Sequence, residues 1–209
     1  LLARPGEWYF DKTASRLYYY PLSGEKMDSV SAVMPFMETL VEVKGTADRP
    51  VAHIRFENIH FNYTTWMRPS KKGHVPLQAG MYLLDAYRLI PKQQRDEGDH
   101  PLDNQAWIGR PPAAVEVEGA QHIVFENCTF EHLGSCGLDF KKTTHDTKVV
   151  GCLFRDIAGN GLQIGMFSEP SVETHLPYRP QDEREICTGQ VIENNYLTDI
   201  GNEDWGCVG

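Results

Sequence analysis

The chain is short of positive charge, has no paired-cysteine motif and contains no long apolar run. Twenty Lys and Arg stand against 29 Asp and Glu over 209 residues, a formal net charge of −9 with His neutral. Nucleic-acid affinity comes mainly from Lys and Arg that neutralise phosphates, so this balance argues against a nucleic-acid partner. It argues equally against an anionic membrane surface and suits a neutral substrate or a cation. No apolar stretch approaches the ~20 residues of a membrane span. The five cysteines are Cys128, Cys136, Cys152, Cys187 and Cys207. None forms a CxxC, which argues against a zinc knuckle or a dithiol redox motif. No signal segment and no initiator Met is visible, so a trimmed precursor or larger parent is expected.

What the chain does have is an internal repeat. One copy reads Ile123-Val124-Phe125-Glu126-Asn127-Cys128-Thr129-Phe130, then His132-Leu133-Gly134, then Gly137-Leu138-Asp139-Phe140. The next reads Val149-Val150-Gly151-Cys152-Leu153-Phe154, then Asp156-Ile157-Ala158, then Gly161-Leu162-Gln163-Ile164. A third runs Ile192-Glu193-Asn194-Asn195-Tyr196-Leu197, Asp199-Ile200-Gly201 and Gly206-Cys207-Val208, and a partial copy is Ile54 to Phe61. Leu138 and Leu162 are 24 residues apart. That length fits one turn of a β-solenoid with three short strands. No helix-length pattern separates the strands, which excludes a βαβ fold. The expected fold is therefore all-β, a right-handed parallel β-helix.

Aligning the copies predicts columns. Phe56, Phe125, Val149 and Ile192 stack inside, as do Phe61, Phe130, Phe154 and Leu197. Cys128 and Cys152 share an interior column with Ile59 and Asn195, where buried thiols are ordinary packing residues. Asn58, Asn127 and Asn194 share a turn column with Gly151, as suits a left-handed backbone.

The expected organisation is an N-terminal hairpin and entry segment over residues 1–39, with its strands near Trp8 and Tyr18. Coils follow over 40–209, interrupted by insertions at about 62–113 and 166–187. A short helix is expected near Met81–Ile90. The last coil is expected to be followed by further coils of a parent chain beyond Gly209, or covered by another chain, because a solenoid needs a cap.

The coil pattern resembles the pectate-lyase-like right-handed β-helix superfamily. The combinations Pro5-Gly6-Glu7-Trp8-Tyr9 with Leu17-Tyr18-Tyr19-Tyr20-Pro21, and Phe125 to Phe130 with Leu133-Gly134 and Gly159 to Gly165, are more specific. They resemble bacterial β-helix glycoside hydrolases, the group that includes the β-xylosidase and α-fucosidase/xylanase families. The resemblance implies a polysaccharide or oligosaccharide substrate and an extracellular or periplasmic location. It also implies that the outer face of the strand beginning Gly-Leu forms the substrate groove.

Alternation then assigns the outward side chains. Glu42, Glu116, Asp139, Gln163 and Val208 form one outer column, with no Lys or Arg in it. Adjacent acids on neighbouring strands repel, and paired carboxylates at coil spacing suit glycoside hydrolysis. Glu116 and Asp139 are therefore the candidate catalytic acids, expected to be exposed; the bland reading is a solvated acidic face. Asn202-Glu203-Asp204-Trp205 is either a groove rim or an ordinary polar turn. On the first reading Asp204 is a further catalytic candidate, and Glu203 and Trp205 bind substrate. Glu42, Gln163, His132, His175 and Tyr178 complete the candidate binding residues. Asp156 and Asp199 occupy turn positions equivalent to His132. No cofactor is expected for a hydrolase, whereas a polysaccharide lyase would take Ca²⁺ on the acid column. A non-catalytic carbohydrate-binding solenoid is the remaining alternative.

Overall fold

The structure is a computed structural model that describes residues 2–66, 75–76, 82–83, 108–166 and 180–203. The chain divides into two compact units, Leu1–Met34 and Pro35–Gly209. The first holds an antiparallel hairpin of β1 (Trp8–Asp11) and β2 (Arg16–Tyr19), in register from Trp8 opposite Tyr19 to Asp11 opposite Arg16. The Asp11 carboxylate shapes its turn by accepting from the N–H groups of Thr13 and Ala14, each at 2.9 Å.

The second unit is a stack of parallel coils. The first coil comprises β3 (Val41–Lys44), β4 (Val51–Ala52), β5 (Arg55–Glu57) and β6 (His60–Asn62). An antiparallel trio follows, β7 (Val75–Pro76), β8 (Tyr82–Leu83) and β9 (Ile108–Gly109). The second coil is β10 (Ala113–Glu118), β11 (Ala120–Gln121), β12 (Val124–Glu126) and β13 (Thr129–Leu133). The third is β14 (Cys136–Phe140), β15 (Thr144–His145), β16 (Lys148–Val150) and β17 (Leu153–Ile157). The fourth holds β18 (Leu162–Ile164), a bridge from Thr188 to His145, β19 (Val191–Glu193) and β20 (Tyr196–Ile200). Every contact between successive coils is parallel and in register. We call the sheet of β3, β10, β14 and β18 sheet 1.

Each turn contains four ladders where three were expected. The additional one is the two-residue strand represented by β4, β11 and β15. Two residues carry no readable alternation, so the strand is invisible as a pattern. Its ends show instead in the backbone. Gly119 and Thr143 at one end, and His53, His122, Asp146 and Gly189 at the other, all have positive φ. Asn58, Asn127, Gly151 and Asn194 form a third left-handed column, and Tyr63, His132, Asp156 and Asp199 a fourth. A Cβ at position 151 would lie 2.6 Å from the Asn127 amide oxygen, so a side chain there requires that amide to shift. The helix expected near Met81–Ile90 differs too, since Tyr82–Leu83 pairs as a strand with Val75–Pro76 and Ile108–Gly109. Its remaining residues lie outside the described ones.

The interior follows the predicted columns. The rings of Phe56 and Phe125 stack at 4.7 Å, those of Phe61 and Phe130 at 4.9 Å, and those of Phe130 and Phe154 at 4.7 Å. Val149 and Ile192 continue the first column in register and Leu197 the second, but Ile192 and Leu197, expected inside, are each 39% exposed. Phe125, Phe130 and Phe154 are fully buried, each contributing roughly 1.5–3 kcal/mol by leaving water. Cys128 and Cys152 are buried and unpaired. Their thiols donate to the carbonyls of Phe56 at 3.5 Å and Phe125 at 3.7 Å. Asn195 follows Cys152 in that column and bonds to the backbone of the preceding coil. Its Oδ1 accepts from the Cys152 N–H and its Nδ2 donates to the Val149 carbonyl, both at 2.8 Å.

Burial pushes the Cys152 thiol up to about 11 and the Cys136 thiol up to about 12. Both therefore stay protonated at pH 8–9, where an ordinary thiol has begun to ionise. Native protein treated with a thiol reagent at pH 8, then mapped by peptide mass, is expected to carry no label at Cys128, Cys136 or Cys152. All three should label after unfolding, and rapid native labelling at any of them contradicts the interior register.

Candidate functional site

Sheet 1 carries the candidate site on its outer face. Val41, Val115, Leu138 and Leu162 pair in register along its inner side. The residues that follow them, Glu42, Glu116, Asp139 and Gln163, pair in register along the outer side. Parallel neighbours in a sheet lie ~4.8 Å apart, so these four side chains form a row. The row grows more buried along the stack. Glu42 is exposed, the Glu116 side chain is 15% exposed, and Asp139 is fully buried.

The expectation that Glu116 and Asp139 stand exposed and unpaired needs correction. Asp139 is held by Arg110, which donates from Nε to Oδ2 at 2.6 Å and from Nη2 to Oδ1. Arg110 lies between β9 and β10, and its side chain is itself mostly buried. Burial pushes the Asp139 carboxyl up from its ordinary range, and Arg110 pulls against that shift. Glu116 pairs with Lys141, whose Nζ lies 2.7 Å from Oε2, and its Oε1 accepts from the Ala113 N–H at 3.3 Å. Alternation along a strand gives the face a side chain occupies; it is silent about what crosses over that face. Arg110 arrives from 29 residues before its partner. Lys141 lies one residue past β14, two after Asp139.

Gln163 differs from its neighbours. It is 7% exposed, and neither its Oε1 nor its Nε2 has a hydrogen-bond partner.

A second cluster lies in the left-handed column that includes His132, near the end of β13, and Asp156, near the end of β17. His132 Nδ1 is 2.7 Å from Asp156 Oδ2. The other carboxylate oxygen of Asp156 accepts from Asn202 Nδ2 at 3.0 Å. An ionised carboxylate only accepts, so Nδ1 is the donor, and the neutral ring presents Nε2 as an acceptor. The Tyr63 ring stacks on His132 with centroids 5.3 Å apart. The structure thus joins His132 to the Asn202 turn through Asp156. It adds Tyr63, which was not among the candidate residues. The signal was present in the repeat: Tyr63, His132 and Asp156 each follow a core Phe by two positions.

Glu203 is exposed. Asp204, Trp205, Val208, His175 and Tyr178 lie outside the described residues. Among the described residues, no group of three or more His, Cys, Asp or Glu is arranged to hold a metal ion.

No protein-family model and no curated protein matches the chain. Among solved structures it is similar to a protein described as a glycoside hydrolase, with 60% identity and a TM-score of 0.86. The alignment covers 99% of this chain and 35% of that one, so the chain spans about a third of the solved protein's length.

The buried ion pair yields a stability prediction. Asp139→Asn leaves the Arg110 guanidinium without its counter-charge and is expected to destabilise the unit by ~3–5 kcal/mol. The double change Arg110→Met with Asp139→Leu removes both charges and should recover most of that loss. Urea unfolding of the three variants checks this. A single mutant as stable as the parent would show that the pair is not buried.

Proposed function

We propose that the chain forms part of a glycoside hydrolase and that its substrate lies across the outer face of sheet 1. The observation that carries this reading is the 60% identity, over 99% of the chain, to a solved glycoside hydrolase. The in-register polar row on sheet 1 supports the location.

In this reading Glu116 is the reactive carboxylate of the described residues. It faces outward and keeps partial exposure, whereas Asp139 is sealed against Arg110. Asp139 then acts as a positioning residue, tying the segment before β10 to the sheet. Asp204 is proposed as the second carboxyl group, since glycoside hydrolysis needs an acid as well as a nucleophile or base. His132, fixed by Asp156 and flanked by Tyr63, is proposed as a rim residue that accepts a sugar hydroxyl at Nε2. Glu42, the exposed member of the row, contacts the same chain of sugars further along.

The test is product analysis with a panel of neutral oligosaccharides and polyuronides. The expected result is new reducing ends without unsaturated products. Glu116→Gln should lower turnover by ~10²-fold or more, the scale of general acid–base assistance, while leaving the melting temperature close to that of the parent. Unsaturated products absorbing in the near ultraviolet would point to a lyase. Full activity in the Glu116 variant would move the chemistry off this row.

A further inference from the structure

Glu116 stands in register between two other acids, Glu42 on one side and Asp139 on the other. Arg110 is committed to Asp139 through two donors. The positive charge that meets Glu116 is Lys141, whose Nζ lies 2.7 Å from Oε2. The other oxygen, Oε1, accepts from the Ala113 N–H at 3.3 Å. An ammonium and a backbone N–H can only donate. A carboxylate accepts from both, whereas a carboxylic acid would turn its O–H toward a donor.

Lys141 is anchored for this contact. A lysine stem is flexible, so the backbone it starts from decides where its ammonium can rest. The Lys141 N–H donates to the Val117 carbonyl at 2.8 Å. Its own carbonyl accepts from the Cys187 thiol at 2.7 Å. The next two residues are tied to the turn at Glu183–Glu185. Lys142 Nζ lies 3.3 Å from Glu185 Oε1, and the Thr143 N–H donates to the Glu185 carbonyl at 2.9 Å. Two adjacent lysines are thus divided between two acids, Lys141 serving the row and Lys142 the turn.

We propose that Lys141 is the positioning residue for Glu116, holding its carboxylate in the anionic role of nucleophile or base. This rests on the glycoside hydrolase reading above and gives Glu116 one of the two roles that the reaction requires. Glu116 then either bonds to the anomeric carbon or takes a proton from the water that does so. The glycosidic bond breaks, and its oxygen receives a proton from a separate acid. In the first case water afterwards releases the sugar from Glu116.

The first test needs no substrate. The full chain is treated with a water-soluble carbodiimide and its peptides are mapped by mass. Activation of the Glu116 carboxyl lets the neighbouring amine attack. An amide forms as the amine gives up protons and the carbodiimide departs as its urea. The expected product joins Glu116 to Lys141 with net loss of one water, and Lys142 joins only to Glu185. A link from Glu116 to Lys142, or none to Lys141, would overturn the geometry.

The second test is kinetics on the neutral oligosaccharides. Lys141→Met should lower kcat by ~10²-fold, the scale of a misplaced reacting group, with KM essentially unchanged. Lys142→Met removes the same charge one residue away and should leave kcat near that of the parent. A raised KM at constant kcat, or equal losses in both variants, would overturn the positioning role. On aryl glycosides whose phenol leaves without a proton, Glu116→Gln should remain as impaired as on the oligosaccharides. Recovery there would show Glu116 to be the acid and overturn the assigned role. A parent that cleaves no glycoside removes the hydrolase reading and this role with it. The crosslink separates that failure from an error about the pair itself.

Discussion

The parallel hydrogen-bond ladder between successive coils is the constraint on which the rest of the second unit depends. It fixes the rise from coil to coil and places equivalent residues of each repeat directly above one another. An interior position therefore becomes a column. Phe56, Phe125, Val149 and Ile192 form one, and Phe61, Phe130, Phe154 and Leu197 another. The same rule applied outside turns isolated polar residues into a row along sheet 1. Core packing and candidate site are thus two faces of one geometric fact. The chain must still turn four corners per coil, and it does so with residues of positive φ, at a cost that Asn, Asp and Gly bear most readily.

The corners divide by what their residues do besides turning. Asn58, Asn127, Gly151 and Asn194 are types that suit a left-handed backbone on conformational grounds alone. In the fourth column, Tyr63 is a less natural choice for that conformation than Asn, Asp or His. In that column the side chains are engaged with each other, through ring stacking and the bond from His132 to Asp156. The histidines of the other mixed column, His53 and His122, stack at 4.8 Å. His132 is distinguished from them by its carboxylate partner, which fixes the ring and its hydrogen-bonding sense.

Much of this was legible in the sequence because a repeat samples one environment several times. Phe125 alone says little; Phe56, Phe125 and Val149 at one repeat position say that the position is interior. The inward and outward faces of sheet 1 were legible for the same reason, with valine and leucine alternating against Glu42, Glu116, Asp139 and Gln163. What was not legible came from outside the repeat. Arg110 belongs to the segment that enters β10 and has no counterpart in other coils, so no column announces it. Its presence converts Asp139 from an expected exposed acid into half of a buried ion pair. The two-residue ladder escaped for lack of length, and Tyr63 because its coil was recognised only in part.

The account's central claim is that sugar binds across the outer face of sheet 1. A crystal structure of the protein with a neutral oligosaccharide product would test it most directly. The expected result is a sugar ring lying over the outer face of sheet 1, with the chain of sugars running past Glu116. A product seated on another sheet would contradict the claim.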